Sequence, residues 1–185
     1  MPRSNDCAIR LASPPDIVSR LDSFIRRLEA QRACLDLAAC LVAELDGDVL
    51  ELGLGNGRTY DHLRQLFPDR RIYVCERRVA AHPECIPPAE LLLLGDMRDT
   101  LQAARVLLGR RVVLAHLDPA TGERAASGAL AAELAPLIVP LLRSGGVLVS
   151  EPAINQVALT PLPLPDSVAP GRYNLYRFVS CQSSA

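Results

Sequence analysis

Five short apolar runs, each but the last followed by a connection long enough to hold a helix, set the frame of this chain. They are Val49–Leu54, Arg71–Cys75, Leu91–Leu94, Val112–Leu117 and Val147–Ser150. Runs of this length that are apolar throughout suit strands buried on both faces. Between them, Arg58–Phe67 has helical character up to Pro68, Asp99–Leu108 forms a second helical segment, and the Ala/Leu-rich Glu123–Leu142 a third, bent by Pro136. Pro83, Pro87 and Pro88 restrict any helix within Arg77–Pro88 to a short one. Strands alternating with helices predict a parallel sheet covered on both faces, because parallel neighbours need long crossovers.

Two flanking segments break the alternation. From Asp16 to Glu44, apolar residues recur at three- and four-residue steps (Ile17, Leu21, Phe24, Ile25 and Leu28, then Leu35, Ala38, Leu41), predicting an amphipathic helix or helix pair. Ser13 or Asp16 can cap it, and Gly47 stops it. Gly145-Gly146 turns the chain into the fifth strand. At the other end, Gln156–Leu164 and Tyr173–Val179 read as an antiparallel hairpin closing one edge, where prolines are tolerated. The expected organisation is one domain over residues 1–185, with N-terminal helices (1–46), an α/β core (47–151) and the closing hairpin (152–185).

Composition removes several functions. All 20 basic residues are arginine, and they nearly balance 21 acids, leaving a net charge of −1. Lysine-based Schiff-base chemistry is therefore excluded, and no surplus of positive charge exists to follow a nucleic-acid backbone. Leu134–Leu142 is too short for a membrane span, and Met1–Asp16 lacks the apolar centre of a secretory signal. The six cysteines form no C-x-x-C and no zinc-type grouping, which predicts reduced thiols, no metal site and a cytoplasmic protein.

The chemistry concentrates at the carboxyl ends of the strands. Glu51-Leu52-Gly53-Leu54-Gly55-Asn56-Gly57 puts glycines at alternate positions where the first strand becomes a helix. Such a turn lets backbone approach a ligand, and the following helix N-terminus favours an anionic group. A nicotinamide-binding turn of the G-x-G-x-x-G type would need glycine at position 58, which is Arg58. Glu76 ends the second strand about twenty residues later, the separation at which an acid can accept both ribose hydroxyls. Asp96-Met97 follows the third strand; the acid can also cap the next helix, and methionine adapts to flat rings. His116 and Asp118 close the fourth strand two residues apart, so a strand would aim them to one side.

The G-x-G-x-G spacing with its leading glutamate resembles motif I of class I S-adenosylmethionine-dependent methyltransferases. Ala115-His116-Leu117-Asp118 and Pro170-Gly171-Arg172-Tyr173 are similar to a compact group of small methyltransferases within that class. The resemblance implies a Rossmann-like α/β sheet of seven strands in the order 3-2-1-4-5-7-6, with strand seven antiparallel. It implies a cofactor, S-adenosyl-L-methionine, held by Glu51, Gly53, Leu54, Gly55, Asn56, Gly57, Arg58, Glu76, Arg77, Asp96, Met97 and His116. It implies in-line methyl transfer to a small-molecule or peptidic acceptor, with His116 or Asp118 as the base if one is needed. Asp118-Pro119-Ala120-Thr121 departs from the N/D-P-P-Y type of amino-methylating families, which weakens base or glutamine methylation. Glu151, after the fifth strand, is a lesser candidate for lining the acceptor pocket. A NAD(P)-dependent oxidoreductase and a non-catalytic nucleotide-binding protein are the alternatives. A homodimer through the apolar N-terminal helices is a further possibility of this sequence.

Overall fold

The computed structural model describes residues 18–119 and 123–180. Seven strands form one sheet: β1 Asp48–Leu52, β2 Ile72–Glu76, β3 Leu92–Leu94, β4 Val112–Leu117, β5 Leu142–Ser150, β6 Leu159–Pro161 and β7 Asn174–Phe178. Their spatial order is β3-β2-β1-β4-β5-β7-β6, and β7 runs antiparallel to both of its neighbours. Among the described residues four α-helices accompany them: α1 Arg20–Leu41, α2 Arg58–Leu66, α3 Met97–Leu108 and α4 Arg124–Ile138.

Side-chain alternation along the strands divides the core in two. Leu50, Leu52, Cys75, Ala115, Leu117 and Leu148 face α3 and α4 and pack on Leu101, Ala104, Leu134 and Ile138. Val49, Val74, Leu114, Val147 and Val149 face α1 and α2 and pack on Cys34, Leu35, Ala38 and Leu63. Apolar side chains thus pack on both faces of the sheet, which explains the largely apolar strands; Asp48, Glu51, His116 and Ser150 are buried polar exceptions.

The N-terminal segment is one helix. No glycine or proline interrupts residues 20–41, so nothing splits it into a pair. Ser19 caps it by accepting a hydrogen bond from the Asp22 amide at 2.9 Å; the expected caps Ser13 and Asp16 lie outside the described residues. The helix ends at Leu41, ahead of the expected stop at Gly47. Its two halves differ. Ala30, Gln31, Cys34, Leu35 and Ala38 are buried, whereas Leu21 is 67% exposed and Phe24 and Ile25 are each 44% exposed.

Elsewhere the differences from expectation are local. Gly145-Gly146 does not precede β5 but lies inside it, in an irregularity where the register jumps from Val112↔Leu142 to Leu114↔Val147. Gly145 takes φ +85 there, a bulge conformation that glycine permits. The helix expected over Glu123–Leu142 ends at Ile138, followed by a 3-10 turn, Val139–Leu141, and then β5. Pro136 sits inside α4 and Pro140 at the 3-10 turn. The proline-rich connection after β2 holds two 3-10 turns, Pro83–Cys85 and Ala89–Leu91.

The division of α1 makes a stability prediction. Leu35 is 1% exposed, so Leu35→Ala should cost about 2–5 kcal/mol, whereas Leu21→Ala should cost less than about 0.5 kcal/mol. Urea denaturation of both variants checks the contrast; equal losses would contradict the packing described.

Candidate active site

The carboxyl ends of β1–β4 open into a cavity of about 1100 Å³. The glycine loop forms its floor, with Gly53, Leu54, Gly55 and Asn56 on the wall. One carboxylate comes from each of four successive strands or the residues just after them: Glu51, Glu76, Asp96 and Asp118. Phe24, Arg27, Leu28 and Gln31 of α1 close the side opposite the loop. Of the residues singled out in the sequence, Arg58, Arg77 and Met97 also line this space, while Gly57 and His116 do not.

Each wall residue has a local cause. Gly57 is the residue before α2 with φ +86, and a Cβ there would stand 2.4 Å from the Cys85 Cβ, so the turn is packed shut from behind. Gly55 has φ +54, but a Cβ there would meet nothing within 4 Å. The loop therefore borders open space at Gly55 and protein at Gly57. Asp96 caps α3, accepting from the Arg98 amide at 3.0 Å, and still borders the cavity, so both of its expected placements hold together.

Glu76 ties the floor together. Its Oε2 accepts from the amides of Leu54 (2.7 Å) and Gly55 (3.1 Å), and its Oε1 from those of Arg77 (2.7 Å) and Arg78 (3.1 Å). Partial burial opposes the charge, but these four donors outweigh it and hold the carboxyl below the usual range.

Behind the wall lies a buried polar chain that spans three strands. Glu51 and His116 are register partners in β1 and β4, and the Glu51 Oε2 to His116 Nδ1 distance is 2.8 Å. The other ring nitrogen, Nε2, is 2.9 Å from the hydroxyl of Tyr173, which immediately precedes β7. His116 is 0% exposed. Burial opposes charge on the imidazole, yet the adjacent Glu51 carboxylate outweighs it and raises the His116 pKa, while burial raises that of Glu51. Burial also pushes the Tyr173 hydroxyl well above its ordinary range, so it stays protonated.

Asp118 lies beyond the strand end and meets α1. Arg27 Nη1 donates to Asp118 Oδ2 at 2.7 Å, and Gln31 Nε2 donates to the same oxygen at 3.2 Å. Gln31 Nε2 is also 3.1 Å from Thr59 Oγ1 and 3.4 Å from His116 Nε2. His116 and Asp118 therefore do face one side, and Gln31 joins them. Reading the sequence passed over Arg27 and Gln31. The signal available was a polar residue at 31 amid the apolar stripe of α1, where a buried amide needs partners.

An open sheet with a glycine loop after its first strand and an acid after each neighbouring strand defines a nucleotide-cofactor α/β protein. A model of the S-adenosyl-L-methionine methyltransferase family matches residues 18–178, and the chain belongs to that family. The crystal structure of an S-adenosyl-L-methionine methyl transferase from Silicibacter pomeroyi DSS-3 is similar over 88% of this chain and 99% of that one, with 46% identity and a TM-score of 0.84. Human methyltransferase-like protein 13, solved in complex with SAH, shares the fold at 15% identity, covering 84% of this chain and 83% of that one, with a TM-score of 0.54. No curated protein matches the sequence. No helix among the described residues is long and apolar enough to cross a membrane.

The cofactor of the family is S-adenosyl-L-methionine, and the residues present fit it. Its sulfonium, ammonium, ribose hydroxyls and adenine amino group all call for acceptors or negative charge. The cavity supplies four carboxylates and a glycine floor that is open at Gly55.

The hydrogen bonds of Glu76 predict an acid sensitivity. Its depressed pKa adds stability that is fully present above the unfolded-state carboxyl pKa of about 4.3 and is lost as pH falls through the lower folded value. Glu76→Gln should therefore flatten the decline of melting temperature below about pH 4.3. An unchanged slope would show that the four amides do not stabilise the charge.

Proposed function

We propose that this methyltransferase carries out in-line transfer to a small or peptidic acceptor that enters between the first half of α1 and the end of β4. The observation that carries this reading is the shared cavity, with the glycine loop and four acids on one side and α1 on the other. In this reading the N-terminal helix, the α/β core and the closing hairpin act as one domain. When bound, S-adenosyl-L-methionine supplies a methyl group already activated by its sulfonium.

The chain's own residues then bind and align. Gly53, Leu54, Gly55 and Asn56 cradle the methionine part, with Glu51 on the wall behind them. Gly57 and Arg58 place the α2 N-terminus towards its carboxylate. Glu76 accepts from the ribose hydroxyls, beside Arg77. Asp96 and Met97 meet the adenine. Alignment and exclusion of water are worth on the order of 7–11 kcal/mol in such reactions, so an activated methyl group asks little more of the protein. Asp118 faces the cavity and takes the acceptor's proton where one must leave; Arg27 holds it aimed until then. His116 acts behind Glu51 as a positioning residue, since both of its ring nitrogens are engaged.

The free thiols of Cys34, Cys40, Cys75 and Cys85 support a reducing, cytoplasmic setting. The exposed Leu21, Phe24 and Ile25 support a role for the first half of α1 in covering the bound ligands or pairing with a second copy. Removing residues 1–29 should then raise the dissociation constant for S-adenosylhomocysteine or change the mass seen by light scattering.

Calorimetric titration should show binding of S-adenosylhomocysteine and none of NAD. Glu76→Ala should weaken the former by about 1–3 kcal/mol. Gly55→Val should abolish it while the protein stays folded, because a branched side chain would fill the open space at φ +54. Near-native affinity in folded Gly55→Val would sink the assignment of the loop. Once an acceptor is found in a methyl-transfer panel, Asp118→Asn should lower turnover by roughly 10²-fold with little change in cofactor affinity.

A further inference from the structure

A second cavity of about 200 Å³ lies between α1 and α2 and adjoins the first, sharing Leu28, Gln31, Arg58 and Thr59 with it. Its other walls include Arg32 and Leu35 from α1 and His62 from α2. Leu28 and Leu35 make an apolar floor, while Arg32 and Arg58 make a basic rim. Among the described residues the arginines around the two cavities are of two kinds, paired and unpaired, and Arg77 and Arg78 on the main cavity are unpaired like these two. Arg27 pairs with Asp118, Arg64 with Asp61 and Arg98 with Glu133, whereas neither Arg32 nor Arg58 has a carboxylate partner among the described residues. Glu29 and Asp36 flank Arg32 on α1, and Asp36 meets His62 on the wall of the side cavity, its Oδ1 2.8 Å from His62 Nε2.

Two unpaired guanidinium groups over an apolar floor, opening onto the main cavity past Gln31 and Thr59, suit one kind of occupant. Resting on the reading of the main cavity given above, we infer that this side cavity receives the anionic end, a carboxylate or phosphate monoester, of a small acceptor whose apolar body lies on Leu28 and Leu35. Its nucleophilic end then reaches the main cavity near Asp118. Gln31 forms the neck between the two, held by its contacts with Thr59 and Asp118. Arg32 separates this inference from a simpler one in which the same charges serve the methionine carboxylate. Arg58 borders both cavities, but Arg32 borders the side cavity and not the main one.

The test uses the full chain saturated with S-adenosylhomocysteine and titrated with isovalerate, isobutyl phosphate and the neutral isovaleramide. At least one anion should bind more tightly than the amide, and the tighter of the two identifies the anionic group. Arg32→Gln, at an exposed position, should weaken that anion by about tenfold, Arg32→Lys by less, and both should leave affinity for S-adenosylhomocysteine unchanged. Equal binding of anions and amide, no anion binding by the saturated wild-type protein, or an anion affinity indifferent to Arg32→Gln would overturn the inference alone. A loss of S-adenosylhomocysteine affinity in Arg32→Gln would give the side cavity to the cofactor instead. Failure of wild-type protein to bind S-adenosylhomocysteine would overturn the reading of the main cavity, and the acceptor role with it.

Discussion

The parallel pairing of β1 with β4 is the constraint on which the rest of this structure depends. Its register sets Glu51 opposite His116 in the middle of a sheet that is otherwise apolar on both faces. Two ionisable groups there are tolerated because each satisfies the other, with the Tyr173 hydroxyl completing the imidazole. Stranding one partner of such a buried pair costs about 3–5 kcal/mol, so the pair penalises any slip of β1 against β4. The same register brings the ends of both strands to one edge, where the glycine loop and Asp118 can border a common space.

That edge has a consistent electrostatic design. Successive strands deliver Glu51, Glu76, Asp96 and Asp118 along one wall, a poor arrangement unless each charge is met locally. Backbone amides meet Glu76, the α3 N-terminus meets Asp96, His116 meets Glu51 and Arg27 meets Asp118. Three of these compensations use backbone or core groups and hold the carboxylates in place. The fourth comes from α1, the one element of the wall outside the alternating core. The first half of α1 meets the site through Phe24, Arg27 and Leu28, and leaves Leu21 and Ile25 exposed. Its attachment to the core comes from the second half, through Cys34, Leu35 and Ala38.

Much of this was legible in the order of residues. Val112–Leu117 as a strand, the helix beginning at Arg58, the hairpin at the end and the sheet order all followed from period, punctuation and resemblance. Glu76 and Asp96 were found because chain position alone places an acid at a strand end. The errors have one origin. Gly145-Gly146 looks like a turn in one dimension, and it became a bulge because β4 alongside supplied pairing on both sides of it. The end of α1 is a second case: Gly47 is the strongest local stop, yet the helix ends at Leu41 and Val42 is buried in the core.

What the sequence by itself determined is the list of groups and the edge at which they gather, since strand ends and helix starts are local properties of composition and spacing. What only the tertiary structure decided is which of those groups face the ligand space and which face each other. His116 lies in β4 and Asp118 just past its end, two residues on, yet the first is buried against Glu51 and Tyr173 and the second borders the cavity. The difference is set by partners that arrive from residues 31, 51 and 173. Contacts across such separations depend on register and helix docking, and no local pattern of side chains encodes those.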